Sequence, residues 1–329
     1  MNAQIHDPLA SLLDAQGVAI LDGGLATTLE ANGFDIGGEL WSARALVDEP
    51  DLLERVHGDF CRAGADCIAT ATYQATVPGL VRAGLREAEA VSLFARAVEL
   101  ARNASERAFA RLEGGEPRQG AAKRRRSLVA ASIGPFGAYL ADGSEYRGDY
   151  RVGRRELVDF HRPRLRALIA ARPDLLAFET LPSGIEAMAV LELLDQELSR
   201  AGLPGAWLSF QCRDPSSLAD GTLLSDVVPA LDRHPAILAV GVNCVAPRLV
   251  SGLLRTLGAL TAKPLAVYPN SGERWQGGDW RGEIESWIEE APGWVDLGAR
   301  LIGGCCRTSP EEIARLRQAL LPGGGSVST

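Results

Sequence analysis

Three cysteines in the second half of the chain are candidate metal ligands. Cys244 follows an apolar run, and Cys305 and Cys306 are neighbours further along. Zn²⁺ prefers sulfur and nitrogen ligands in a tetrahedral arrangement, and a catalytic zinc keeps one of its four positions open. Three thiolates therefore suit a catalytic zinc site. Cysteine is also common in protein cores, and spacing alone does not separate the two interpretations.

Two carboxylates could act beside these sulfurs. Asp22 precedes Gly23 and Gly24, and Glu179 follows the apolar residues 175–178. Such a pair could serve as acid and base in a hydrolysis, or could bind an ammonium group, while Asp22 could also simply cap its own turn. The two glycines would let backbone N–H groups approach a carboxylate. Metal, acids and amides together match the three functional groups of a thiol amino acid.

These residues are set in a chain where short apolar runs alternate with longer amphipathic stretches. The predicted strands are Val18–Leu25, Cys67–Tyr73, Leu128–Pro135, Leu175–Thr180, Trp207–Cys212, Ala239–Cys244, Leu265–Asn270 and Ala299–Cys305. The predicted helices are Glu87–Arg107, Arg154–Ala171, Gly184–Arg200, Leu223–Arg233, Pro247–Leu260 and Pro310–Leu320. Such alternation predicts an α/β protein with a single closed (β/α)₈ barrel; a doubly wound sheet with an extra domain is the alternative.

Barrel enzymes carry their reactive residues at the carboxyl ends of the strands. The candidates above all lie there, and so do Thr70 and Asn243, the second of which is a further substrate-binding candidate. Consecutive residues of a strand point to opposite faces. Cys305 and Cys306 can therefore reach one ion only where their strand ends, and we expect the two glycines before them to give the backbone the freedom to turn.

The composition limits the expected partners and location. The net charge of −8, from 34 Lys and Arg against 42 Asp and Glu, argues against nucleic acid as a partner. We find neither a signal peptide nor an apolar run long enough to span a membrane. Six cysteines are too few for a disulfide scaffold, so we expect a reducing cytoplasm. The oligomeric state is left open.

We expect the whole chain, residues 1–329, to form one barrel domain with two flexible segments. Residues 113–127 contain the basic run Lys123–Arg126 and are predicted to form a loop. A basic run could also indicate a nucleic-acid patch, but a solvated loop is the preferred interpretation. Residues 322–329, rich in Gly and Ser, are predicted to form a flexible tail.

Eight segments, from about Ile20 to Leu320, resemble the homocysteine S-methyltransferase family. They are LDGGLATTLE from Leu21, LWSARAL from Leu40, AGADCIATATYQA from Ala63, GPFGAYLADGSEYRGDY from Gly134, FETLPSGIEA from Phe178, GVNC from Gly241, YPNSGE from Tyr268 and GGCCRTSP from Gly303. The resemblance implies a (β/α)₈ barrel with Zn²⁺ on the three cysteines. It also implies homocysteine contacts at Asp22, the glycine backbone that follows it, Thr70 and Glu179.

The resemblance further implies the reaction. GAYLADGSEYRGDY is similar to the branch that transfers a methyl group from S-methylmethionine or S-adenosylmethionine to homocysteine, forming methionine. Betaine as donor or selenocysteine as acceptor is the alternative. A ring such as Trp41 or Tyr150 could face the sulfonium donor. A metal-dependent hydrolase usually has histidine ligands, and no histidine ends a predicted strand; a structural zinc site would need a fourth ligand.

Overall fold

The computed structural model describes residues 5–37, 40–113, 125–197, 203–276 and 279–322. No helix in these ranges has the length and apolar character needed to cross a membrane. Most of the predicted basic loop (residues 114–124, including Lys123 and Arg124) and most of the predicted tail (residues 323–329) lie outside the described residues.

Eight parallel strands form one ring. They are β1 (Ala19–Ile20), β2 (Cys67–Ala69), β3 (Leu128–Ile133), β4 (Leu175–Leu181), β5 (Ala206–Phe210), β6 (Ile237–Asn243), β7 (Leu265–Tyr268) and β8 (Ala299–Ile302). Neighbours around the sheet follow the order β1, β8, β7, β6, β5, β4, β3, β2. A parallel bridge between Leu21 and Cys67 joins β1 to β2. The predicted (β/α)₈ barrel is confirmed.

Helices connect the strands and surround the ring. They are α1 (Pro8–Gln16), α2 (Leu25–Ala31), α3 (Ala45–Asp48), α4 (Pro50–Ala63), α5 (Val77–Arg82), α6 (Glu87–Glu113), α7 (Phe136–Leu140), α8 (Arg154–Ala171), α9 (Gly184–Glu197), α10 (Leu224–Arg233), α11 (Pro247–Leu260), α12 (Ala291–Asp296) and α13 (Pro310–Leu320). Short 3₁₀ turns lie in the connections: Trp41–Arg44, Ser144–Tyr146 and Ile288–Glu290. Small antiparallel strand pairs also occur there: Cys212–Asp214 with Ser217–Leu218, and Arg274–Gln276 with Asp279–Arg281.

All six predicted helices are confirmed, and α8, α11 and α13 have the predicted ends. Residues 198–200, the predicted end of the helix that begins at Gly184, lie outside the described residues. The start of α13 shows why. The hydroxyl of Ser309 accepts a hydrogen bond from the backbone N–H of Glu312, and the Glu312 carboxylate accepts one from the N–H of Ser309. This capping box, with Pro310 at the first helical position, fixes the helix terminus locally, so the sequence alone is enough to place it.

The core has an outer and an inner layer. In the outer layer, side chains such as Phe94 pack between the helices and the strands. The inner layer fills the barrel and includes Trp207 together with Leu9 and Leu12 of α1. Asp7 caps α1 by accepting hydrogen bonds from two N–H groups of its first turn. Because α1 closes one end of the barrel, the carboxyl ends of the strands form the open end.

The remaining three cysteines belong to this core: Cys61, Cys67 and Cys212 are buried. Burial raises the pKa of each thiol, that of Cys61 to about 11. These side chains are therefore protonated at neutral pH, and they pack as small apolar groups.

Candidate active site

The sulfur atoms of Cys244, Cys305 and Cys306 meet at the open end of the barrel. All three lie within 4.8 Å of one another, and Cys244 Sγ is 3.7 Å from Cys306 Sγ. In a tetrahedral zinc site with Zn–S bonds of about 2.3 Å, two sulfur atoms stand about 3.8 Å apart. The three thiols are thus spaced as ligands of a single ion, and none forms a disulfide.

Both loops that carry these cysteines are attached to the end of β7. The backbone N–H of Cys244 donates to the carbonyl oxygen of Tyr268 (3.0 Å), and that of Cys305 donates to the carbonyl oxygen of Pro269 (2.7 Å). Cys244 itself has φ of +53°, an unusual conformation for a residue with a side chain. The chain turns sharply there, at the end of β6, and the Cys244 thiol joins the other two.

The glycines before Cys305 serve a different purpose from the one expected. Neither Gly303 nor Gly304 has a positive φ, so the prediction that they supply backbone freedom is wrong. A Cβ atom on Gly303 would lie 2.6 Å from Cβ of Leu21, and one on Gly304 would lie 2.2 Å from Cγ2 of Thr308. Both positions need glycine because the loop passes close to other side chains.

The three thiols differ in how readily they lose a proton. Hydrogen bonds from the thiols of Cys305 and Cys306 hold the pKa of Cys244 well below its usual value. The pKa values of Cys305 and Cys306 are raised, first by their hydrogen bonds to Cys244. The hydroxyl of Tyr146 also lies 3.9 Å from Cys244 Sγ. The cluster therefore stabilises a thiolate at Cys244, which is the form of cysteine that binds metals.

Two buried carboxyl groups lie beside the sulfurs. Asp22 accepts a hydrogen bond from the backbone N–H of Ala69 (2.8 Å), and Glu179 accepts one from the hydroxyl of Ser132. Burial raises the pKa of Glu179 to about 7 and that of Asp22 well above its usual value. Neither acid forms an ion pair with any described residue. A cationic ligand would supply the missing countercharge.

One cavity of about 1070 Å³ contains all nine predicted site residues in its wall. They are Asp22, Gly23, Gly24, Thr70, Glu179, Asn243, Cys244, Cys305 and Cys306. Acidic groups, sulfur ligands and an apolar floor are thus presented to one space of a size suited to small molecules.

A sequence profile of the homocysteine S-methyltransferase family matches residues 19–320. The chain belongs to this family. The homocysteine S-methyltransferase of Escherichia coli (strain K12) is 47% identical to it, over 95% of this chain and 98% of that protein. Homocysteine S-methyltransferase 1 of Arabidopsis thaliana is 43% identical, over 92% and 94% of the two chains.

Solved structures of a relative agree with the fold. The metallated form of the E. coli homocysteine methyltransferase MmuM is 46% identical, covers 94% of this chain and 99% of its own, and superposes with a TM-score of 0.83. Its oxidised form superposes with a TM-score of 0.84. A metallated relative and a cluster of three cysteines at metal-ligand spacing together indicate that this homocysteine S-methyltransferase family member binds a metal.

The side chains of Thr70 and Asn243 form hydrogen bonds mainly with other residues of the barrel. Thr70 Oγ1 accepts a hydrogen bond from the N–H of Ser132 (3.1 Å). The side-chain oxygen of Asn243 accepts from the N–H of Thr180 (2.7 Å) and from the hydroxyl of Ser209 (2.8 Å). Both side chains therefore connect the ends of different strands around the cavity.

Gly23 and Gly24 sit where the β1–α2 turn meets the loop that carries the two adjacent cysteines. A Cβ atom on Gly23 would lie 2.5 Å from the carbonyl oxygen of Thr308, and one on Gly24 would lie 2.7 Å from that of Cys305. The N–H of Gly24 donates to Thr308 (2.9 Å), which leaves this amide engaged within the protein. The glycines therefore bring the turn after β1 into direct contact with the cysteine loop.

Several aromatic and acidic cavity residues were not predicted from the sequence: Tyr73, Glu145, Tyr146, Trp207 and Tyr268. Two of them, Glu145 and Tyr146, lie in the segment GAYLADGSEYRGDY, whose resemblance points to the methyl donor without assigning a role to either residue. Tyr150, suggested as a ring facing the donor, instead donates a hydrogen bond to Glu186 and does not line the cavity. The side chain of Trp41 lies outside the described part of the structure.

Proposed function

We propose that this protein transfers a methyl group from a sulfonium donor, S-methylmethionine or S-adenosylmethionine, to the thiol of homocysteine, forming methionine. We further propose that Cys244, Cys305 and Cys306 hold Zn²⁺. The observation that carries the proposal is the meeting of three sulfur ligands and two buried acids without countercharges in one cavity. A site for sulfur beside a site for an ammonium group corresponds to the thiol and the ammonium group of homocysteine.

The donor set fits zinc. Three cysteine sulfurs form a soft ligand set, which favours zinc over magnesium or calcium, and a set of three leaves the fourth tetrahedral position for a ligand. A zinc ion on such a set supplies the Lewis acidity that keeps a thiol deprotonated at neutral pH.

The chain's own acids would orient the acceptor. Glu179 and Asp22 would bind the ammonium group of homocysteine, and that cation would favour the charged forms that burial disfavours. Their hydrogen bonds to Ser132 and Ala69 hold both carboxyl groups in the wall of the same cavity. Correct placement of the acceptor thiol against the donor methyl group is worth several kcal/mol of the barrier, roughly, in reactions of this kind.

The methyl step moves no proton. The acceptor thiolate attacks the methyl carbon, the bond between that carbon and the donor sulfur breaks, and its electron pair stays on the donor as a neutral thioether. Both charges vanish together, because the thiolate becomes a thioether as the sulfonium does. A buried cavity favours this reaction, since opposite charges that disappear gain from leaving water.

A donor panel with metal analysis tests the proposal. The purified, reduced protein should contain stoichiometric zinc and should form methionine from homocysteine with S-methylmethionine or S-adenosylmethionine. Betaine should be inactive as a donor. Turnover should fall after chelation and return when zinc is restored. Activity with betaine alone, or full activity in metal-free protein, would contradict the proposal.

A further inference from the structure

Glu145 is a buried carboxyl group that nothing described so far employs. It lies in the connection between β3 and α8, is only 4% exposed, and lines the same cavity as the cysteines. Its Oε2 atom has no hydrogen-bond partner among the described residues. A buried polar atom without a partner is costly, so such a group calls for a ligand that would complete it.

The loop around Glu145 is built to hold this carboxyl group in place. Asp142 accepts a hydrogen bond from the N–H of Ser144 (2.9 Å), and the N–H of Gly148 donates to the carbonyl oxygen of Ser144 (2.7 Å). Helix α7 packs so closely that a Cβ atom on Gly137 would lie 2.5 Å from the backbone nitrogen of Glu145. The backbone of Glu145 is therefore held in place on both sides.

Glu145 lies on a different element of the barrel from the two acids assigned to the acceptor, since Asp22 follows β1 and Glu179 belongs to β4. The charges of Asp22 and Glu179 interact with Cys305. The charge of Glu145 acts instead on Cys244, where it opposes the larger effect of the hydrogen bonds that lower the pKa of that thiol. The cavity wall therefore contains a third buried acid, which is carried by the connection between β3 and α8.

Two aromatic rings accompany Glu145. Tyr73 and Tyr146 line the cavity, and the Tyr146 hydroxyl lies 3.9 Å from Cys244 Sγ. Tyr146 follows Glu145 directly in the chain, and the carboxyl group of Glu145 is among the charges that act on both phenol groups. A carboxylate beside aromatic rings is a suitable environment for a diffuse cation with no hydrogen to donate.

We propose that Glu145, with the rings of Tyr73 and Tyr146, forms the subsite for the positively charged sulfonium group of the methyl donor. This inference rests on the proposed function. The sulfonium would pair with the buried carboxylate, and its methyl group would lie towards the sulfur cluster, where the acceptor thiol is activated. After transfer the donor sulfur is neutral, so this attraction is lost and the thioether product is released.

The test compares Glu145→Gln with the wild type. The change keeps the size of the side chain and removes its charge. We expect KM for S-methylmethionine to rise about 10- to 100-fold, the usual effect of losing one charge-assisted contact. KM for homocysteine should stay within about twofold. Asp149→Asn is the matched control, because Asp149 is an exposed acid of the same loop that does not line the cavity.

A second measurement identifies which donor charge Glu145 recognises. Methionine has the skeleton of S-methylmethionine, including its ammonium group, but lacks the sulfonium charge. Its inhibition constant against the donor should change by less than about threefold in Glu145→Gln. Equal weakening of methionine and S-methylmethionine would overturn the inference, because Glu145 would then be an ammonium site.

Folding and function are checked separately. Glu145→Gln removes a lone buried charge, so its thermal unfolding temperature should equal or exceed that of the wild type. Glu145→Asp keeps the charge on a shorter side chain and should show an intermediate donor KM. An unchanged donor KM in a folded Glu145→Gln protein would refute the subsite alone. A wild type that uses no sulfonium donor would refute the proposed function instead.

Discussion

Replacing Glu179 with Gln tests whether this buried acid binds the ammonium group of homocysteine. Gln keeps an oxygen that can accept the hydrogen bond of Ser132, so the main change is the loss of charge. A hydrogen bond to a charged group contributes about 1.5–3 kcal/mol, which corresponds to a rise of about 10- to 150-fold in KM for homocysteine. The donor KM should change little, because the sulfonium group of the donor is assigned to Glu145 and the ammonium group of the acceptor to Glu179.

The pKa of Glu179 adds a pH dependence with a definite sign. Burial raises this pKa to about 7, so the carboxyl group is mostly neutral in acid and mostly charged in mild base. Only the charged form attracts an ammonium group. KM for homocysteine should therefore rise about tenfold when the pH falls from about 8 to about 6, since the ionised fraction falls by that factor.

Initial rates at saturating S-methylmethionine, measured across this pH range, decide the matter. In Glu179→Gln the tenfold change should disappear. In Ser132→Ala it should move to higher pH, because the hydrogen bond that favours the charged carboxylate is lost. If the homocysteine KM of Glu179→Gln equals that of the wild type at about pH 8, Glu179 does not hold the ammonium group and the acceptor assignment is wrong.

Three further outcomes follow from the structure. Cys306→Ala should lose both stoichiometric zinc and turnover, whereas Cys212→Ala, a substitution in the core, should keep both. Metal analysis and the methyl-transfer assay measure these two properties. A Cys306→Ala protein that is active without zinc would contradict the prediction. Metal removal should leave the far-ultraviolet circular dichroism spectrum unchanged, because backbone hydrogen bonds hold the cysteine loops in place. The three thiols of the cluster should then react with a thiol reagent. Unfolding on chelation would show instead that the metal is needed to form the site. Burial lowers the pKa of His57 to about 4, so the free energy of unfolding should fall by about 2 kcal/mol between about pH 6.5 and pH 5, where only the unfolded chain gains the proton. His57→Leu should lessen this loss in urea titrations at the two pH values, and an unchanged loss would assign it to other groups.

The helices and the meeting of the site residues could be predicted because their causes are local or topological. Helix α8 is recognisable from periodicity within its own residues, and it was predicted at its observed ends, Arg154–Ala171. Cys244 and Cys305 are far apart in the chain, yet the carboxyl ends of parallel barrel strands meet at one end. The order of strands and helices along the chain is therefore enough to predict that these two cysteines lie at the same end of the barrel.

Where the prediction was inaccurate, distant residues decide the outcome. The first strand was predicted as Val18–Leu25 but ends at Ile20, because one apolar stretch covers a strand, the turn at Asp22 and the start of α2. Gly304 needs its lack of a side chain because of Thr308, a contact that spacing cannot show. Glu145 could not be predicted because no strand ends close to it in the sequence. The packing of α7 and the turn at Asp142 bring it to the cavity.

The attachment of both cysteine loops to β7 has a consequence for how this barrel can change over time. The carbonyl groups of Tyr268 and Pro269 are adjacent, and each holds one loop through a single hydrogen bond. The Cys305–Cys306 loop is also bonded to the turn after β1, through the N–H of Gly304 and the carbonyl oxygen of Asp22. Substitutions on the outer face of the barrel that shift β7 against β1 should therefore change the spacing of the three sulfurs, so we expect the packing beneath these two strands to tolerate little change over time.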